Sequence, residues 1–97
     1  MVAYVINEIA VTEPERFLTY SSQVPAILAK YGGEYVVRGG APERVDGPEP
    51  PERLVVLRFP SREAAKAWRT SPEYLAILPI REATSTSRVY IVDGYEG

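Results

Sequence analysis

The chain opens with Val2-Ala3-Tyr4-Val5-Ile6-Asn7-Glu8-Ile9-Ala10-Val11, in which Val2, Tyr4 and Ile6 alternate with Ala3, Val5 and Ile9. Both parities are apolar and β-branched residues dominate, so the segment reads as a strand buried on both faces. The pattern recurs in Glu34 to Arg38 and Arg53 to Phe59. Taken together, one parity holds Val2, Tyr4, Ile6, Leu54, Val56, Tyr35 and Val37. The other holds Ala3, Val5, Ile9, Val55, Leu57, Phe59 and Val36.

Between the first two strands, Thr12-Glu13-Pro14-Glu15 fits a capping box. Phe17, Tyr20, Val24, Ile27, Leu28 and Tyr31 then form one apolar helical stripe. Pro25 predicts a kink or break within it, because proline removes an amide donor and clashes with the carbonyl four residues back. Gly32-Gly33 supplies a helix end. Ala41 to Glu52, with Pro42, Gly47, Pro48, Pro50 and Pro51, reads as an irregular hairpin loop. After the third strand Ser61 caps a helix whose buried side carries Ala64, Ala65 and Trp68. Ser71-Pro72-Glu73 starts a short helix that Pro79 is expected to end. Thr86 to Asp93 makes the last strand.

The order is the ferredoxin-like βαββαβ arrangement, an α+β fold occupying residues 1–97 as a single domain. Right-handed crossovers give a four-stranded antiparallel sheet of order 4-1-3-2 with helices on one face. The other face would lie open in a monomer, yet both parities are apolar. A homodimer through that sheet face is therefore expected.

The bulk numbers exclude several function classes. With 11 basic and 13 acidic residues and no run of like charge, there is no electrostatic footprint for nucleic acid or an anionic membrane. The N-terminus lacks a basic segment and a cleavage site, and no apolar stretch reaches spanning length, which predicts a cytoplasmic protein. The chain has no cysteine and no histidine. That removes thiolate nucleophiles, disulfides, the commonest general base and nearly every zinc, haem or non-haem iron ligand set, and no metal or cofactor is expected.

The residues also resemble a known family. The similarity rests on Ala3-Tyr4-Val5-Ile6, Val24-Pro25 with Lys30-Tyr31-Gly32-Gly33, Val37-Arg38-Gly39-Gly40, the run Arg53 to Ser61, Ala67-Trp68, Ser71-Pro72-Glu73-Tyr74 and Leu78-Pro79-Ile80-Arg81. The family is known only as domain of unknown function 1330, in the dimeric α+β barrel superfamily. The resemblance implies a barrel of two sheets packed face to face, with a pocket between each sheet and its helices. Superfamily relatives include cofactor-independent monooxygenases, haem-degrading enzymes, muconolactone isomerase-like proteins and ligand-sensing domains. Fold alone does not choose among them, although the missing histidine counts against histidine-ligated haem degradation.

The topology brings polar residues to one end of the sheet. Strands 1 and 2 run parallel, so Asn7-Glu8 and Arg38-Gly39-Gly40 share that end with the starts of strands 3 and 4, at Arg53 and Arg88. Arg38 interrupts an apolar strand and is suited to holding a carboxylate or enolate, the competing reading being a guard charge on an edge strand. Tyr20 and Tyr74 can donate to a developing oxyanion or, with a lowered pKa, take a proton, although buried tyrosines more often serve the core. Glu8 is a candidate general base, or else pairs with Arg53 or Arg88. Asn7 and Glu8 point to opposite faces, so only one of them can face a given pocket. Trp68 completes the set as a ligand contact or core residue. The expected function is that of a small dimeric enzyme acting on a small apolar or aromatic carbonyl compound. A non-catalytic binding or sensing module is the alternative, and a cavity well below roughly 300 Å³ would favour a purely structural role.

Overall fold

The structure, a computed structural model, describes residues 1–96. Its elements are β1 (Ala3–Val11), α1 (Pro14–Ser21), α2 (Val24–Lys30), β2 (Glu34–Gly39), β3 (Arg53–Phe59), α3 (Arg62–Arg69), α4 (Pro72–Thr84) and β4 (Ser85–Asp93). The sheet has the order β2-β3-β1-β4 with all neighbours antiparallel, which is the expected order read from the other edge. No helix among the described residues is long and apolar enough to cross a membrane.

Register divides the sheet into two faces. On the helix-covered side, Tyr35, Leu57, Val5 and Ile91 form one row across the strands, and Arg38, Val55, Asn7 and Val89 form the next. On the open side the central row is Val37, Val56, Ile6 and Tyr90, entirely apolar but for one hydroxyl. Strict alternation puts Tyr35 with Val37, but the ladder shifts between them. The extra residue, Val36, is 53% exposed on the edge strand. This bulge turns Tyr35 onto the helix side, where Arg38 also lies.

The helices depart from expectation at both prolines. The first stripe breaks at Ser22-Gln23 into α1 and α2, and Pro25 sits in the first turn of α2, where a missing amide costs nothing. At Pro79 the expected stop does not occur, and α4 continues through it to Thr84. The reason is tertiary. Tyr74, Ile77, Arg81 and Thr84 make one buried stripe across the proline, while the ring and Leu75, whose carbonyl loses its partner, lie on the exposed side. Water can satisfy that carbonyl. Thr12 does not cap α1 either: Glu13 holds that position without a side-chain bond, and the amides of Thr12 and Glu13 donate to the Thr84 carbonyl. The serine caps do form, with Ser61 Oγ accepting from Ala64 N and Ser71 Oγ from Tyr74 N, each at 3.1 Å.

Gly32 takes φ +76° and lets the chain leave α2, while the Gly33 amide donates to the Leu28 carbonyl at 3.0 Å. A methyl on Gly33 would overlap the end of Leu28 and lie 2.7 Å from Phe59 Cε1. Gly33→Ala is expected to destabilise the fold by about 1–3 kcal/mol through overpacking. Denaturant titration reads this as a lower midpoint with unchanged slope.

Candidate functional site

Five aromatic rings line up beneath the helices. Phe17 packs on Tyr20, Tyr20 meets Tyr74 edge-on, Tyr74 lies 4.4 Å from Trp68 between ring centres, and Trp68 packs on Phe59. These contacts join α1, α4, α3 and β3 into one core. Each ring adds roughly 0.5–1.5 kcal/mol beyond its buried area. Polar edges of this chain turn toward a cavity whose floor is the row containing Arg38, Val55, Asn7 and Val89.

At the centre Tyr20 Oη and Tyr74 Oη are 2.7 Å apart, and Arg81 Nη1 donates to Tyr74 Oη at 3.0 Å. The two hydroxyls carry two protons and share one hydrogen bond, so one proton is left to donate into the cavity. Burial, with Tyr74 alongside, drives the Tyr20 phenol far above its usual range. That suits hydrogen-bond donation and removes the proton-acceptor role for Tyr20.

Three buried side-chain atoms lack a hydrogen-bond partner among the described residues: Asn7 Oδ1, Trp68 Nε1 and Arg81 Nε. All three residues line this cavity. Such atoms are expensive to bury, and their convergence marks a place where other polar atoms belong. Arg81 is the extreme case. It is 8% exposed, yet among the described residues no carboxylate comes within ion-pair distance of it. Arg38 and Arg53 also line the cavity, and no acidic residue does.

Arg38 stands at the mouth, over the Tyr35 ring at 4.6 Å, and donates to the Ser21 carbonyl at 3.4 Å where α1 ends. Arg53 lies 5.7 Å from the centre of the Phe17 ring. The cavity's water-accessible space is about 50 Å³, well short of an ordinary ligand pocket, so this cavity by itself has the size expected of a purely structural role, and a ligand needs the adjoining groove as well. A groove of about 320 Å³ along β4 shares Val5, Trp68, Arg81 and Val89 with it and adds Arg69.

Arg38, Tyr20, Asn7, Trp68 and Tyr74 are thus brought together. Glu8 and Arg88 are not, because they pair across β1 and β4 on the open face. There Arg88 Nη2 reaches Glu8 at 2.8 Å and Tyr90 Oη donates to Glu8 at 2.7 Å. The Tyr90 hydroxyl and then the Arg88 guanidinium hold the Glu8 carboxyl below its usual range. Glu8 is consequently an ion-pair residue and no base for the cavity. With a depressed folded value, its stabilising contribution is present above the ordinary carboxylate range and is lost as pH falls through the lowered one. Tyr90→Phe is expected to raise the Glu8 titration midpoint toward the ordinary value, followed by carboxyl-carbon NMR.

Arg81 is the central residue that sequence reasoning missed. It stands seven residues after Tyr74, a stripe position that becomes visible only once α4 is carried past Pro79. No cluster of His, Cys, Asp and Glu that could hold a metal ion occurs among the described residues.

The fold is shared with several solved structures. A protein of unknown function from Rhodopseudomonas palustris superposes with TM-score 0.82 at 17% identity, over 99% of this chain and 84% of that one. SnoaB, a cofactor-independent oxygenase from Streptomyces nogalater, superposes with TM-score 0.68 at 18% identity, over 99% and 95%. A protein from Mycobacterium tuberculosis gives 0.59 at 21%, over 100% and 98%. At these identities the likeness is one of fold. A search of curated protein sequences finds no match. The sequence profile described as Domain of unknown function (DUF1330) matches residues 2–95, and the chain belongs to that family.

Proposed function

We propose that the helix-covered cavity binds a small carbonyl compound as its anion or enolate, and that the protein acts on it without a cofactor. The observation that carries this is Arg81, a buried guanidinium with no carboxylate partner among the described residues, in a cavity that they line with three arginines and no acid. An unpaired buried cation is costly, and an anionic ligand is the partner that offsets the cost. Trp68 Nε1, Arg81 Nε and the spare tyrosine proton are donors on residues that line the cavity, available to stabilise enolate charge. In this reading Arg81 shares the anion-holding role that sequence alone gave to Arg38. The fold of SnoaB, a cofactor-independent oxygenase, is compatible with such chemistry.

The second reading, a binding or sensing module, is favoured because the chain has no histidine or thiol and no carboxylate among the described residues lines the cavity to move a proton. Exchange of α-protons of enolisable carbonyl compounds in heavy water separates the two. Exchange accelerated by the protein and lost in Arg81→Met supports catalysis. A ligand that binds and keeps its α-protons supports the binding module. Absence of any anion binding would sink both and leave a water-filled structural cavity.

We also propose that the protein is a homodimer through the open face. The apolar row of Val37, Val56, Ile6 and Tyr90 is flanked on one side by the Glu34–Arg58 pair and on the other by Glu8–Arg88. Each charge is already neutralised within its own sheet, so covering this face strands no lone ion.

A further inference from the structure

The distribution of unpaired cations says more about the ligand than the single buried arginine does. Six of the eleven basic residues, Arg16, Lys30, Arg44, Arg58, Arg62 and Arg88, have acidic partners. Of the other five, which have no acidic partner among the described residues, only Lys66 lies away from the cavity and its adjoining groove, which take in Arg38, Arg53, Arg69 and Arg81. A chain with net charge −2 has acids enough to pair them. Random placement of surface charge does not collect the unpaired ones around one hole.

We infer that the ligand is a dianion: one anionic group sits on Arg81 and Trp68 at the inner end of the cavity, and a second, a carboxylate, is held at the mouth between Arg38 and Arg53. This rests on the anion-binding reading above and names its substrate class, a short dicarboxylate. Register places Arg38 opposite Val55 on the cavity side of an edge strand, and the bulge at Val36 brings Tyr35 to the same side beneath it. A charge kept only to guard that edge has no need to turn inward over Tyr35. Arg53 enters from β3 opposite Ile9, two residues along from Val55, the partner of Arg38, so the two arginines are diagonal neighbours on adjacent strands, roughly 7–8 Å apart in the sheet. Arg38 is exposed and its one protein hydrogen bond, to the Ser21 carbonyl, is 3.4 Å long. So loosely held, Arg38 can turn onto an outer carboxylate. The span between the carboxylates fits the part of the sheet from β2 to β1, two strand spacings or roughly 10 Å, less the inward reach of the side chains.

The test is calorimetric titration of the full chain with succinate, glutarate and adipate, each against the monocarboxylate of equal chain length. The best dicarboxylate is expected to bind about tenfold or more tightly than its monocarboxylate, the effect of one added charge-assisted hydrogen-bonding group. Arg38→Gln and Arg53→Gln are each expected to reduce that ratio severalfold. Lys66→Gln, which removes the same charge away from the site, leaves both affinities unchanged. Equal binding of mono- and dicarboxylates overturns the dianion inference while leaving the anion site standing, as does a ratio more sensitive to Arg69→Gln than to Arg38→Gln. Binding of neither class overturns the anion site itself.

Discussion

Replacing Arg81 with methionine is expected to abolish anion binding while leaving the free protein as stable as the wild type, or more so. A substitution that merely damaged the fold would lower both. Methionine keeps the unbranched stem of the side chain as far as the Nε position, and it removes a buried charge that no acid among the described residues offsets. Replacement of buried ionic groups by well-packed apolar ones is commonly neutral or stabilising by about 1–4 kcal/mol. The lost hydrogen bond to Tyr74 Oη works against this by about 1 kcal/mol, and the Tyr20 hydroxyl remains as a partner. The net expectation is a change between zero and about +2 kcal/mol, a melting temperature higher by up to roughly 10 °C. Thermal melts of the two proteins, with and without a saturating carboxylate, read both halves at once: the ligand raises the wild-type midpoint and leaves the variant's unchanged.

The second large effect belongs to the open face. Ile6→Glu puts a carboxylate in the middle of the apolar row, directly opposite Val56 and Tyr90. In the single chain that face meets water and Ile6 is only half-buried, so the fold tolerates the change. In a sheet-to-sheet dimer two such carboxylates are buried without partners, and several kcal/mol of association are lost, at least a hundredfold in dissociation constant. Sedimentation is expected to show a dimer for the wild type and a monomer for Ile6→Glu at micromolar concentration, with unchanged far-ultraviolet circular dichroism. A wild type that sediments as a monomer would end the dimer proposal.

Much of the fold was legible because it depends on period and punctuation. Apolar parity marked β1 and β3, Ser61 and Ser71 marked the starts of α3 and α4, and right-handed crossovers then left one strand order. What was not legible depended on tertiary context. Nothing local distinguishes Pro79, which a helix tolerates when its i−4 carbonyl faces water, from a proline that ends a helix. Stopping α4 there hid Arg81. Nor does Tyr35-Val36-Val37 announce a bulge, since three β-branched or aromatic residues suit a regular strand equally well, and the one-residue slip decides which face Tyr35 takes. Five of the seven candidate site residues do line the cavity. Glu8 and Arg88 were drawn in by lying at the correct end of the sheet, and the alternation of strand faces placed them on the wrong side of it.

For an anion bound beside Arg81 the protein carries its own reporter. Trp68 is the only tryptophan; it lines the cavity, and its indole Nε1–H is buried and has no partner among the described residues. It gives a single indole signal in a proton–nitrogen correlation spectrum. Titration with adipate is predicted to move that signal downfield in a saturable way in the wild type and to leave it in place in Arg81→Met. A Trp68 signal that stays fixed in the wild type across the series from succinate to adipate would contradict the account.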